Sequence, residues 1–220
     1  MPELIVIRHG QASFGSAEAA GYDRLSPLGE DQARMVGAAL KASGLRPDRL
    51  VTGSLARQKE TMALMGFGDE VEEHAGFNEY DFHDLLKVRF NGEVPAEVVG
   101  DRRAHFRTLR DTLKIWQQGG LDGARESWTD YIARVDAARA HATRPGAERV
   151  LAVSSGGTIG RLVAQAIQAP DEMMITLNLQ VKNTSITRFI FNAKGRFFLN
   201  EFNATPHFLE ARAARHLTYS

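Results

Sequence analysis

Leu4-Ile5-Val6-Ile7-Arg8-His9-Gly10-Gln11 is the stretch on which the fold of this chain turns. Four β-prone apolar residues followed at once by Arg, His and Gly predict a buried strand that delivers a charged tripeptide to a sheet edge. In open α/β folds the carboxyl edge of the sheet is where ligands bind. A His beside an Arg there points to a nucleophile or base poised over an anion. Outward from this strand, further strand-like runs appear at 49–52, 150–153, 185–191 and 196–202.

Helical patterns lie between these runs. Ser26-Pro27 reads as an N-cap followed by proline at the first helical position, opening a helix to about Ser43 that Gly44 ends. Ser54 is expected to cap a second helix running to about Met65. Residues 94–118 and 126–143 carry long helical patterns separated by Gly119-Gly120, and Gly156-Gly157 opens another helix toward Gln168. Asn192 to Gly195 reads as a hairpin turn between the last two strands. The alternation predicts an α/β three-layer sandwich, a mostly parallel central sheet with helices on both faces. Residues from about 78 to 145 are expected to form a helical cap inserted into one domain spanning 1–220. The polar tail after Pro206 is expected to be mobile, and the late strands to leave an edge suited to a homodimer.

Composition narrows the function. The 220 residues are 43% hydrophobic, enough for a sizeable core. The 27 basic and 27 acidic side chains cancel, so no global field draws the protein to nucleic acid or to a membrane. An anion site must therefore come from arginines gathered locally. With no cysteine, disulfides, thiolate chemistry and Cys-based metal sites are excluded. The first strand starts by residue 4 and no apolar run is long enough to span a membrane, so a cytoplasmic protein is expected.

Three strand ends carry groups that suit a phosphoryl dianion. The first gives Arg8, His9, Gly10 and Gln11; the second leads through Thr52-Gly53-Ser54 to Arg57, in the first turn of a helix; the third gives Ser154-Ser155-Gly156-Gly157. Arginine binds phosphate oxygens in bidentate fashion, and free N–H groups at a helix start favour anions. His9 would be the nucleophile, which requires a neutral imidazole whose other nitrogen is held as a donor. A leaving alkoxide needs a proton. Glu79 is the best candidate acid, with Asp81 and Asp84 as competitors. Partial burial beside a phosphate would raise its pKa toward neutrality.

Read together, these segments resemble the histidine phosphatase superfamily, which includes cofactor-dependent phosphoglycerate mutases and many small phosphatases. Arg8-His9-Gly10-Gln11 is similar to the signature carrying the phosphorylated His, and Leu25-Ser26-Pro27-Leu28-Gly29 with Gln32-Ala33 to the helix start after it. Ser54-Leu55-Ala56-Arg57 with Thr61 resembles the segment supplying the second phosphate-binding Arg, and Asn78-Glu79 the one supplying the proton donor. Val153 to Gly157 and Asn183-Thr184-Ser185-Ile186 resemble the family's late motifs. The resemblance implies a metal-independent phosphatase that needs no cofactor and acts on a small phosphorylated substrate. It implies Arg8, Arg57, Gln11, Ser13, Ser155 and Gly156 around the phosphoryl oxygens.

Two positions depart from the family pattern. Ser155 stands where most members have a second His, and Gly15 where the mutases have an Asn. Exchanging a charge-assisted hydrogen bond (about 1.5–3 kcal/mol) for a neutral one (about 0.5–1.5 kcal/mol) implies a loss on the order of ten-fold or more, not abolition. His83 or His105 from the cap could enter the position left by that His. Alternatives stay open here: a catalytically impaired phospholigand-binding protein of the same fold, a phosphoglycerate mutase-like phosphotransferase, or a serine hydrolase using Ser154, Asp171 and His207. The acidic and histidine residues near 73–84 lack compact metal-ligand spacing.

Overall fold

Leu4, Ile5, Val6 and Ile7 are all fully buried, and they divide between two cores. Leu4 and Val6 join one apolar cluster; Ile5 and Ile7 join the other. A strand whose two faces are both covered has no reason to alternate with polar residues. That explains the unbroken apolar run. The computed structural model describes residues 1–12, 23–96, 98, 102–209 and 214–219.

Six strands form one sheet: β1 (Glu3–Arg8), β2 (Arg49–Thr52), β3 (Val71–Glu73), β4 (Arg149–Ser154), β5 (Ile186–Phe191) and β6 (Phe197–Ala204). Their order is β3-β2-β4-β1-β5-β6. β1 pairs in parallel with β4, and β2 in parallel with β4 and β3; β5 runs antiparallel to β1 and β6 antiparallel to β5. The sheet is therefore mixed, parallel from β3 through β2 and β4 to β1 and antiparallel at β5 and β6. Helices bounded within the described residues are α1 (Pro27–Ala42), α2 (Ala56–Met65), α3 (Phe82–Arg89), α4 (Arg102–Gln117), α5 (Trp128–Ala142), α6 (Gly156–Ala166) and α7 (Met173–Asn178). Val36 and Leu40 of α1 and Met62 and Met65 of α2 cover one face; α4, α5 and α6 supply the other, with Trp116, Tyr131, Val135 and Leu162. This is the expected α/β architecture with helices on both faces.

Local signals explain most boundaries. Ser26 Oγ accepts from the Gly29 N–H, Pro27 opens α1, and Gly44 follows it at φ 82°. Four expectations need correction. Ser54 does not cap α2: Leu55 holds that position, and the carboxylate of Asp23 accepts from the Ala56 N–H at 2.9 Å. Ser54 is instead joined to Asn78, which accepts from its N–H and donates to its hydroxyl. The helix expected over 94–118 is shorter, since residues 93–95 are non-helical and α4 begins at Arg102. Among the described residues the segment between β3 and β4 holds at least three helices, α3, α4 and α5, where two were expected.

The fourth correction concerns the tail, which is docked where it is described. Phe208 is buried, and Thr218 Oγ1 donates to Asn183 Oδ1 at 2.9 Å while accepting from Gln32 Nε2 at 2.8 Å. With them, the His216 carbonyl accepts from Gln32 Nε2 at 2.6 Å and the Thr218 carbonyl from the Asn183 N–H at 3.0 Å, which fastens a segment that reads as polar. Among the described residues no helix is long and apolar enough to cross a membrane.

Candidate active site

The parallel pairing of β2, β4 and β1 brings their carboxyl ends together, and with them three segments far apart in the chain. β1 ends at Arg8, so His9 follows at the sheet edge. Its N–H donates to Ser154 O, the last residue of β4, at 2.9 Å. From the other side Asn183 Nδ2 donates to His9 O at 3.2 Å, and the Thr184 N–H to Arg8 O at 3.1 Å. Thr184 adopts φ 52°, in the left-handed region, while fully buried. A non-glycine residue keeps that conformation only where its surroundings over-determine it. Asn183 and Thr184 thus fix the backbone on which His9 rides.

The imidazole has one tautomer that fits. His9 Nδ1 lies 2.7 Å from Gly10 O, and a carbonyl only accepts, so Nδ1 carries the proton. Nε2 is then a lone pair, and Arg57 Nε donates to it at 3.2 Å. His9 is buried, and burial is the first cause that drives its pKa well below the usual imidazole value; the Arg57 and Arg8 charges add to it, against the Gly10 hydrogen bond. A neutral imidazole with an unprotonated Nε2 is what a histidine nucleophile needs.

The two arginines are fixed independently. Arg57 NH1 is paired with Asp23 Oδ1 at 2.8 Å, so Asp23 both caps α2 and orients Arg57. Arg8 NH1 donates to Val181 O. The Arg8 guanidinium lies against the start of α6: a Cβ on Gly156 would sit 3.5 Å from its Cζ. Helix N-terminus and guanidinium thus face the same space.

Glu79 shares that helix start. Its Oε2 accepts from the Gly157 N–H at 2.9 Å. Only glycine fits at 157, since a Cβ there would meet Glu79 Oε1 at 2.3 Å and the Tyr80 ring at 2.4 Å. Burial raises the Glu79 pKa, and this prevails over the Gly157 N–H, Arg57, Arg8 and the Tyr80 N–H, all of which lower it. His9, Arg8, Arg57, Gly156 and Glu79 therefore gather at one edge. Gln11 stands beside them with its side-chain oxygen accepting from Ser26 Oγ at 2.9 Å. Ser13 and Gly15 lie outside the described residues.

Ser155 is fully buried, and its Oγ accepts from Gln58 Nε2 at 2.9 Å, leaving the hydroxyl proton to donate. The same Gln58 amide donates to Phe77 O at 2.9 Å. Nothing in the sequence signals this pairing, because Gln58 sits next to Arg57 on a helix face that reads as ordinary core. His105 Nδ1 bonds Val98 O at 3.2 Å and its ring meets Phe82 edge-on, while His83 is exposed on α3.

The competing acids have other tasks. Asp81 caps α3, and Asp84 accepts from the Arg125 N–H at 2.7 Å. A serine-hydrolase triad is not assembled: buried Ser154 donates to Phe77 O, Asp171 pairs with Arg161, and His207 bonds Thr184. Among the described residues no group of three or more His, Cys, Asp or Glu could hold a metal ion.

His207 gives the site a pH-dependent support. Thr184 Oγ1 donates to Asn183 O, so its bond with His207 Nε2, 3.1 Å long, takes the proton from the imidazole. Burial pushes the His207 pKa down to about 4. Unfolded, this His takes a proton near pH 6.5; folded, it does not. The unfolded state binds more protons between those values, so stability falls as pH drops from 6.5 toward 4, by up to about 3 kcal/mol. His207→Gln is expected to flatten that slope, measured as the melting midpoint between pH 7 and 5. Parallel slopes would assign the acid sensitivity elsewhere.

Fold and site together define an α/β protein whose sheet edge presents a neutral histidine, two arginines and a buried carboxyl. A model of the histidine phosphatase superfamily (branch 1) matches residues 4–205, and the chain belongs to that superfamily. A 2,3-bisphosphoglycerate-dependent phosphoglycerate mutase of Parvibaculum lavamentivorans is 30% identical over 190 residues, which is 81% of this chain and 87% of that one. A broad-specificity phosphatase of Saccharomyces cerevisiae is 24% identical over 93% of this chain and 86% of that one. In fold, the chain is similar to a mycobacterial glucosyl-3-phosphoglycerate phosphatase, with TM-score 0.66 and 23% identity over 93% of this chain and 100% of that chain.

Proposed function

We propose that this protein is a phosphatase that hydrolyses a small phosphomonoester through a phosphohistidine on His9. The observation that carries the reading is the fixed tautomer: Nδ1–H on Gly10 O and an unprotonated Nε2 beside Arg57. His9 Nε2 attacks phosphorus as the P–O bond to the leaving group breaks, and the Glu79 proton goes to the departing oxygen. Water then attacks the phosphohistidine, gives its proton to the Glu79 carboxylate, and the P–N bond breaks, returning neutral His9 and protonated Glu79. Arg8, Arg57 and the start of α6 hold the charge on the transferring oxygens. Gln11, Ser13 and the remaining proton of Ser155 add neutral donors.

The names of the relatives favour this activity and one neighbour of it. A phosphatase and a mutase both stand among them. The mutase likeness supports a second reading, transfer back to an acceptor hydroxyl. The test is hydrolysis of an aryl phosphate without added metal, with acid-quench trapping of the wild type. An acid-labile phosphoenzyme and released phosphate are expected. Absence of both would leave a phospholigand-binding protein. A phosphoenzyme discharged by 3-phosphoglycerate much faster than by water would favour the mutase reading.

Ser155 yields a separate prediction. Its buried hydroxyl and the Phe77 carbonyl share one Gln58 amide. An imidazole at 155 would have to displace Gln58, and overpacking of this kind costs roughly 1–3 kcal/mol. Ser155→His is therefore expected to lower both the melting midpoint and turnover, about ten-fold for the latter if that cost falls on the transition state. A rise in turnover would mean that the site was merely lacking the charge.

A further inference from the structure

The loop that carries Glu79 is held in large part through its own carbonyl oxygens; Thr158 Oγ1 donates to Asn78 O at 2.7 Å, and one other side chain takes most of them. Arg134, on α5, donates through NH1 to Asn78 O at 2.9 Å, Gly76 O at 3.3 Å and Ala75 O at 3.4 Å. Its NH2 donates to Glu79 O at 3.3 Å. The one carbonyl it skips, Phe77 O, accepts from Gln58 and from Ser154 Oγ. Glu126 braces the guanidinium from behind, pairing with Nε and, at 3.0 Å, with NH2. The guanidinium also lies 4.8 Å from the ring centre of buried Tyr131. α5 itself is pressed against the loop, since a Cβ on Gly76 would meet Arg134 O at 2.2 Å.

A planar fork with five donors can span four carbonyls and a carboxylate at once; a lysine ammonium cannot. The contacts matter because Glu79 leaves the loop immediately after Asn78. A shift of the loop would carry the carboxyl off the Gly157 N–H and away from the leaving oxygen. Misplacement of a reacting group by about 1 Å can cost about 10²-fold. We propose that Arg134, braced by Glu126, is a positioning residue that sets Glu79 for proton transfer; this rests on the reading of Glu79 as the general acid. Arg134 touches no reacting atom and acts through the loop.

The test uses leaving groups. An alkyl phosphate needs a proton on its departing oxygen; p-nitrophenyl phosphate departs as a stable phenolate and needs little help. Phosphoenzyme formation is measured by rapid acid quench for Arg134→Lys, Glu126→Gln and Glu79→Gln on both esters. Expected for the first two is a fall of about ten-fold or more on the alkyl ester, a much smaller fall on the nitrophenyl ester, and unchanged inhibition by inorganic phosphate. Equal falls on both esters, or no fall, would reduce the pair to general stability and overturn the proposal. Glu79→Gln tells the two failures apart. If it lacks leaving-group selectivity, the reading of Glu79 fails and takes this proposal with it. If it has the selectivity and the other two variants lack it, only the role of Arg134 falls. Should Arg134→Lys fail to fold, Glu126→Gln, which keeps side-chain volume but removes the charge that braces the Arg134 guanidinium against the loop carbonyls, carries the same comparison.

Discussion

His9→Ala is expected to lower turnover of an aryl phosphate by about 10⁴-fold or more and to leave no acid-labile phosphoenzyme, because the atom that bonds phosphorus is gone. The size follows from the division of labour at the sheet edge. Arg8 is anchored on Val181, and Arg57 loses its bond to His9 Nε2 but keeps its pair with Asp23, so both charges survive the substitution. Binding of inorganic phosphate should therefore persist while chemistry stops. The acid side of the wild-type profile carries a second signature. Burial and two cations hold the His9 pKa well below its ordinary value, so the nucleophile stays neutral through pH 6.5 and is lost only at lower pH. Once the substrate's own second ionisation, near pH 6, is divided out, a wild-type kcat/KM falling away with an ordinary imidazole pKa would contradict the geometry. Substantial turnover by His9→Ala with a trapped phosphoenzyme would move the nucleophile elsewhere.

How far the sequence leads can be judged from particular residues. β1, β2, β4 and the paired β5 and β6 are legible because their apolar runs are unbroken or bounded by turn residues. β3 is not: Val71-Glu72-Glu73 is three residues long and two are acidic, tolerable only because it lies at the sheet edge and is partly exposed. α3 and α7, of 8 and 6 residues, are too short to display a helical period. At the candidate site, the residues gathered at the sheet edge are legible because their chemistry is unusual at strand ends. The residues that hold them are not, because their partners are backbone groups from remote segments. Asn183 on His9 O, Gln58 on Phe77 O and Arg134 on four carbonyls exist only once the sheet order is known. Ser155 shows the limit most clearly. Its identity reads as a lost charge, whereas its place in the fold is a buried link, through Gln58, to the loop that carries Glu79.

Glu79→Gln is the second large effect, a fall of about 10²–10⁴-fold in kcat/KM on an alkyl phosphate. Gln preserves shape, and its side-chain oxygen can still accept from the Gly157 N–H, so the loop should stay in place and the loss should report the proton. The pH dependence fixes the sign. Burial raises the Glu79 pKa, which keeps the carboxyl protonated to higher pH than an exposed glutamate. The general acid is thus present at low pH and lost as pH climbs through the raised value, giving wild-type kcat/KM a falling alkaline limb. The substrate's own second ionisation, near pH 6, is common to wild type and variant. The wild-type to Glu79→Gln ratio therefore isolates the carboxyl: it should be largest at low pH and shrink as pH rises. A ratio that grows with pH would make Glu79 a base in the first step, with the proton for the leaving group coming from another donor. A ratio near one at every pH would remove Glu79 from the chemistry and leave it as the carboxylate that steadies the first turn of α6.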